Sequence, residues 1–250
     1  MIGNKTVACV IPARLASTRF PNKVIAPLLG KPLLQWVWEA TQQVRLFDHV
    51  VFAIDSMVTA AYVEAIGAPY IMTSVECPTG TDRLIEVAQQ GTIKADVWVL
   101  WQCDEPFITS IMIDALLQSC LHDGADMWTL KKRIFEDSVI FSPNAVKVVS
   151  DITGKALYFS RSPIPFYREK NLEQFYYQHI GIYAYTPAAL ERIAGFKQTP
   201  LELAESIEVL RPLQYGLKIG IHETVHDAAE VNTYEDMLLA EQYARTASLR

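Results

Sequence analysis

Cysteine is scarce in this chain: four in 250 residues, Cys9, Cys77, Cys103 and Cys120, far apart, with no Cys-x-x-Cys pair and no histidine at ligand spacing. That excludes a disulfide framework and a sulfur-rich zinc site and leaves the thiols as small buried hydrophobes. Long apolar runs are missing too. The longest, Val7–Pro12 and Val97–Trp101, fall far short of the about 18 residues of a membrane span, and the N-terminus has no extended apolar core with a small-residue cleavage site. The expectation is a cytoplasmic protein with no membrane partner. There is no Gly-x-x-x-x-Gly-Lys-Ser/Thr, since Gly30-Lys31 is followed by Pro32, and no Gly-x-Gly-x-x-Gly, which disfavours P-loop ATPases and Rossmann dehydrogenases. A net charge of −6 lacks the basic footprint of a nucleic-acid binder, so no nucleic-acid partner is expected.

One absence is local. Residues 1–38 contain no acid but five cations, Lys5, Arg14, Arg19, Lys23 and Lys31, leaving 17 basic against 28 acidic residues, a net −11, for the rest. A cationic segment on an acidic chain suits a small, highly charged anion held in one place, and equally suits a solvated charged face.

What is present is an ordinary globular composition, half hydrophobic and one-fifth charged. A chain of this length hides roughly 70–75% of its unfolded surface. Short apolar runs at Val7–Ile11, Val50–Ile54, Tyr70–Met72 and Val97–Trp101 read as parallel strands covered on both faces. Between and after them, Leu33, Trp36, Val37, Ala40 and Val44, a run over Leu84–Gln89, and Ile113, Leu116, Leu117, Cys120 and Leu121 recur at helical spacing. From about Asp126 the pattern turns to strand-like stretches at Met127–Leu130, Val146–Val149, Ala156–Phe159 and Ile180–Tyr185, then a helix over Leu201–Leu210, a strand at Ile219–His222 and a last helix over Thr233–Ala247. With no repeat or low-complexity linker, the reading is one α/β domain over residues 1–250, with a mostly parallel central sheet, helices on both faces, and halves at 1–125 and 126–250.

Three segments follow apolar strands or open helices where an open α/β sheet binds ligands. In Ile11-Pro-Ala-Arg-Leu-Ala-Ser-Thr-Arg-Phe-Pro-Asn-Lys23, Arg14, Arg19 and Lys23 can surround a triphosphate, with Ser17 and Thr18 as donors and Pro12 and Pro21 limiting the loop. In Trp101-Gln-Cys-Asp-Glu-Pro106, Asp104 can hold Mg²⁺ against nucleotide phosphates, although an acid before Pro106 also simply opens a turn. In Cys77-Pro-Thr-Gly-Thr-Asp-Arg83, Gly80 allows close backbone approach and the Thr81/Asp82 start can present amides to a nucleotide or merely cap a helix.

These motifs, followed by Asn-Ala-Val-Lys-Val-Val, Ala-Leu-Tyr-Phe-Ser-Arg-Ser-Pro-Ile-Pro, His-Ile-Gly-Ile-Tyr-Ala-Tyr and Glu230-Val-Asn-Thr-Tyr-Glu-Asp, closely resemble the 3-deoxy-manno-octulosonate (Kdo) cytidylyltransferase family nearly end to end. The resemblance implies a nucleotide-diphospho-sugar-transferase-like fold and a homodimer that uses Mg²⁺ to join CTP to Kdo with release of pyrophosphate, for lipopolysaccharide synthesis. It implies a nucleotide-binding first half and a second half for sugar-acid binding and dimerisation. Arg14, Lys23 and Asp104 are then the catalytic residues. Pro12, Ala13, Arg14, Ser17, Arg19, Lys23, Thr81, Arg83 and Gln102 bind the nucleotide, Arg161, His179, Tyr183 and Glu208 bind the acid, and Asp104 and Asn232 hold the metal.

The chain departs from that pattern at three places. Cys103 stands where the family has Gly, Asn232 where it has a second metal-binding Asp, and Val209 where a Gln is usual. Asn offers a carbonyl oxygen without the charge that balances Mg²⁺, and Asn232 with Glu235 also has capping-box spacing. Beside the Kdo reading stand two others: a cytidylyltransferase for another acid, such as an amino-Kdo-like or other keto-deoxy sugar acid or a phosphonate, and a non-catalytic nucleotide-binding relative.

Overall fold

The computed structural model describes residues 2–16, 20–121, 124–169 and 171–247. The chain divides into two compact units, Met1–Asp114 with Asp227–Arg250, and Ala115–His226.

In the first unit β1 (Val7–Ala13) is buried along its whole length, as a strand covered on both faces requires. After a 3₁₀ turn at Lys23–Ile25, a two-residue ladder pairs β2 (Pro27–Leu28) with β3 (Lys31–Pro32) and leads into α1 (Leu33–Thr41). β4 (His49–Ile54), α2 (Met57–Ala65), β5 (Tyr70–Met72), α3 (Gly80–Gln90), β6 (Val97–Trp101) and α4 (Ser110–Ser119), within which this unit ends, follow. The strands run in the order β6-β1-β4-β5, all parallel, with Cys9 opposite Val50 on one side and Val99 on the other. Each predicted strand is present, and β1 runs on through Pro12 and Ala13. α1 stops three residues short of the predicted Val44, which is nevertheless buried. The helix α2 was not legible, because its buried Thr59, Ala60 and Val63 alternate with exposed Met57, Val58 and Tyr62, which hides the amphipathic stripe.

In the second unit β7 (Met127–Ile134) is central. A short α5 (Asp137–Ile140) precedes the hairpin of β8 (Lys147–Ser150) and β9 (Ala156–Ser160), after which come β10 (Tyr176–Tyr185), α6 (Pro187–Ala194), α7 (Pro200–Glu205), α8 (Leu210–Gln214) and β11 (Ile219–Thr224). β7 pairs in parallel with β11 and antiparallel with β10, and β8 pairs antiparallel with β9 and β10. The hairpin turn is built by Asp151, whose Oδ1 accepts the Thr153 and Lys155 amides at 2.8 and 2.9 Å, with Gly154 at φ +79°. The single helix expected over Leu201–Leu210 is two. Ser206 takes a left-handed conformation (φ 52°) after α7, and α8 starts afresh at Leu210. α7 is fixed at its start by a capping box between Thr199 and Glu202, and the Glu202 carboxylate also takes two bonds from the buried Arg211 guanidinium, at 2.9 and 2.6 Å.

The last helix, α9 (Tyr234–Ala247), belongs to the first unit, where Val231, Met237 and Ala240 pack with Leu28 and Leu33. Its start differs from the expected Asn232–Glu235 pairing by one residue. Asp236 Oδ2 accepts the Thr233 amide at 2.8 Å and Thr233 Oγ1 accepts the Asp236 amide at 3.2 Å, so Thr233 and Asp236 form the box.

Candidate active site

β1 and β6 are hydrogen-bonded parallel neighbours, so the loops leaving their carboxyl ends start side by side. Lys23 and Asp104 meet there: Lys23 Nζ donates to Asp104 Oδ2 at 2.6 Å, with the two side chains 12% and 21% exposed. Lys23 is placed by the 3₁₀ turn it opens, after Asn22 in the left-handed region at φ 57°. Asp104 sits in a turn closed by the Glu105 amide on the Gln102 carbonyl, 3.1 Å, and by the buried Trp101 indole on the Glu105 carbonyl, 3.0 Å. The Val231 amide donates to the Asp104 carbonyl at 2.9 Å, which brings the segment carrying Asn232 against this turn. The structure thus gathers Lys23, Asp104 and the Asn232 segment. Arg14 is exposed just beyond β1, and Ser17 and Arg19 lie outside the described residues.

Cys103, which carries a side chain where the family has Gly, is 3% exposed, so the interior takes up the thiol. Burial pushes that thiol well up, Asp104 adds to the effect and Lys23 opposes it, which leaves a protonated, unreactive side chain. Cys9 and Cys120 are buried as expected, whereas Cys77 is half-buried and its thiol donates to Glu86 Oε2 at 2.9 Å.

Pro12 and Gln102 converge on Gly80. A Cβ at that glycine would stand 3.0 and 3.1 Å from the Gln102 amide atoms and 3.3 Å from Pro12 Cγ, so the close approach needs a residue without a side chain. The helix α3 begins here, one residue before Thr81, and its cap is Thr79, whose Oγ1 accepts the Asp82 amide at 3.1 Å. That amide is therefore occupied, contrary to the reading of a Thr81/Asp82 start with open amides. Ala13 and Thr81 are buried beside these groups in sequence.

Arg83 is 1% exposed. Its guanidinium donates to Asp55 Oδ2 at 3.0 Å and to the Thr73 hydroxyl, while Asp55 Oδ1 accepts the Leu15 amide at 3.1 Å. Asp55, which sequence reasoning passed over, therefore ties α3 to the loop that carries Arg14. The signal was its place directly after an apolar strand, the same kind of position that drew attention to Asp104.

The second unit holds the residues expected to bind an acid. His179 is 9% exposed; its ring lies edge-on to Phe159 at 5.0 Å and 5.4 Å from Tyr183, and its Nε2 is 3.0 Å from Thr129 Oγ1. Burial lowers its pKa to about 3, so the imidazole is neutral at physiological pH. Arg161 Nε donates to the Glu205 carbonyl (2.6 Å), Nη1 to the Pro143 carbonyl (2.7 Å) and Nη2 to the Ser206 carbonyl (3.2 Å). Three of the five guanidinium N–H groups are thus engaged by backbone. Burial works against charge on Glu205, yet hydrogen bonds from Ser160 and the Arg161 amide hold its carboxyl below the usual range. Glu208 is half-buried between α7 and α8, and Val209 is 3% exposed, packed as a core residue.

Among the described residues no group of three or more His, Cys, Asp or Glu side chains is placed to hold a metal ion, and no helix is long and apolar enough to cross a membrane.

A cytidylyltransferase family model matches residues 8–219. A 3-deoxy-manno-octulosonate cytidylyltransferase of Thermodesulfovibrio yellowstonii is 42% identical, the alignment covering 96% of this chain and 98% of that one. One of Geobacter sulfurreducens is 44% identical over 92% and 96% of the two chains. A solved CMP:2-keto-3-deoxy-manno-octonic acid synthetase complexed with CTP is similar with a TM-score of 0.90 and 34% identity, covering 97% of this chain and 99% of that one.

Proposed function

Because the chain belongs to the cytidylyltransferase family, among the 3-deoxy-manno-octulosonate cytidylyltransferases, we propose that it transfers CMP from CTP to the anomeric hydroxyl of Kdo. The observation that carries this reading is the Lys23–Asp104 pair at 2.6 Å, a cation and a carboxylate delivered by the ends of adjacent parallel strands.

In the reaction the anomeric oxygen forms a bond to the α-phosphorus in line as the bond to the bridging oxygen breaks. Pyrophosphate leaves with the electron pair, and the hydroxyl proton passes to solvent. No covalent enzyme nucleophile is needed; positioning and charge neutralisation are. Lys23 and the exposed Arg14 neutralise phosphate oxygens, the lysine turning to them from Asp104. Pro12, Gln102 and the glycine they enclose form a close-fitting surface for the cytidine, together with Ala13 and Thr81, while Arg83 shapes the Arg14 loop through Asp55.

A carboxylate that already holds a positive charge, beside a segment bearing the Asn232 amide oxygen, fits a hard cation that takes one or two protein oxygens and completes its shell with phosphate and water. Asp104 and Asn232 would hold Mg²⁺, which when bound screens the phosphate charge. In the second unit, His179 and Tyr183 orient the sugar hydroxyls with Glu208, and the two N–H groups of Arg161 that are not on backbone face a carboxylate. Burial of Val209 makes its exchange for Gln a matter of core packing, which supports Kdo as the acid. The same family resemblance supports a homodimer in the cytoplasm.

The test is pyrophosphate release from CTP and Mg²⁺ with Kdo, an amino-Kdo-like acid, another keto-deoxy sugar acid and a phosphonate. Steady release with Kdo is expected. Release with another acid only, or nucleotide binding without turnover, overturns the reading.

A further inference from the structure

β10 is interrupted where it runs beside β7. Ile180 pairs with Leu130, but the next paired residue, Tyr183, stands opposite Thr129, so two residues of β10 bulge against one step of β7. In a regular strand, backbone positions four apart are roughly 13 Å from one another. Here the rings of His179 and Tyr183 are 5.4 Å apart. The bulge, a recurrent way of re-aiming side chains, accompanies the meeting of these two residues.

The hydroxyl of Thr129 sits at its centre. Oγ1 lies 3.0 Å from the Ile180 carbonyl, just before the bulge, 2.8 Å from the Ile182 carbonyl, within it, and 3.0 Å from His179 Nε2. Carbonyl oxygens only accept, and two of them at 3.0 and 2.8 Å would repel an Oγ1 that pointed its single proton elsewhere; with that proton toward a carbonyl, Oγ1 accepts from the imidazole. That fixes the proton of the neutral ring on Nε2 and leaves Nδ1 as an acceptor. The buried setting agrees with a neutral ring.

We infer that Thr129 is a positioning residue of the acid-binding half: its hydroxyl pins the β10 bulge and sets His179 as the Nε2–H tautomer, which presents an acceptor to a sugar hydroxyl. This rests on the reading above in that His179 and Tyr183 hold the acid; the tautomer and the bulge stand without it.

The test uses the full chain with ¹⁵N-labelled histidine, in the parent, Thr129→Val, which keeps the shape and removes the hydroxyl, and Thr129→Ser. In the parent, His179 shows a protonated Nε2 and an unprotonated Nδ1. In Thr129→Val that assignment reverses or averages, the KM for Kdo rises about tenfold, the scale of one lost hydrogen bond, and the KM for CTP does not follow. Thr129→Ser restores both signals. A parent protonated on Nδ1 overturns the proposal even if Thr129→Val does not fold. So does a folded Thr129→Val with the parent's tautomer and Kdo KM, or one whose KM rises equally for both substrates. If the parent does not turn over Kdo while the tautomer still answers to Thr129, the proposed substrate fails and the positioning role stands.

Discussion

The two units hold their polar groups in opposite ways. In the first, Lys23 and Asp104 have each other at a partly open strand end and Arg14 is exposed. In the second, Arg161 is bound by three backbone carbonyls and His179 is wedged between Phe159, Tyr183 and Thr129. A polyphosphate brings charge that must be met by cations able to change partners, and an ion pair that keeps some contact with water exchanges more readily than a fully buried one. Recognition of a sugar acid turns on the directions of several hydroxyls, which favours donors and acceptors fixed beforehand. The first unit also has a buried pair, Arg83–Asp55, and Asp55 holds the backbone at Leu15, next to Arg14.

The largest effect that tests this contrast belongs to the exchangeable pair. Lys23→Ala and Asp104→Asn are each expected to lower kcat by at least about 10²-fold, because each removes charge stabilisation at the reacting phosphate, while thermal stability stays close to that of the parent. Turnover by pyrophosphate release and a melting curve on the same samples check it. Near-normal rates, or a collapse in stability that accounts for the lost rate, would show that the pair is a structural ion pair like Arg83–Asp55.

The buried side of the contrast is read by acid. His179 has a folded pKa of about 3 against about 6.5 unfolded. A depressed pKa means that this group's stabilising contribution is complete above about 6.5 and is lost as the pH falls toward 3, at a slope approaching 1.4 kcal/mol per pH unit, roughly. His179→Asn is expected to be less stable than the parent at pH 7 and to lose less on acidification, so that the two unfolding curves converge between pH 6.5 and 4. Parallel curves would mean that His179 titrates as a solvated histidine.

What the sequence disclosed divides along the same line. The parallel strands of the first unit were legible because strands buried on both faces are written as unbroken apolar runs, and the residues at their ends, Arg14 and Asp104, stand out as charges after such runs. Asp55 obeys the same rule after β4, and its partner Arg83, grouped with the nucleotide residues by resemblance, is engaged with Asp55 and Thr73 inside the unit. The arrangement in the second unit depends on pairings between distant segments. Nothing local in Met127–Leu130 tells that Thr129 meets a bulge fifty residues on, and nothing in Leu201–Leu210 announces that Ser206 turns left-handed and splits the helix.

The smallest expected effect concerns Asn232, where the chain departs from its family in the exchangeable region itself. Its amide donates to Asp236 Oδ2 at 3.0 Å, so the backbone serves the helix start whatever the side chain does, and the Thr233–Asp236 box forms without it. The Thr233–Asp236 box thus stands in place of the Asn232–Glu235 pairing that the sequence spacing suggested. Since Val231 is bonded to the Asp104 carbonyl, a carboxylate at position 232 adds negative charge near Asp104. Asn232→Asp is expected to lower the half-saturating Mg²⁺ concentration by about 5-fold, the equivalent of roughly 1 kcal/mol from one added charge at water-like screening, with melting temperature unchanged because the cap is intact. A Mg²⁺ titration of turnover that superimposes on the parent's would place the side chain away from the metal, and the ion would then depend on Asp104 and the substrate's own phosphates.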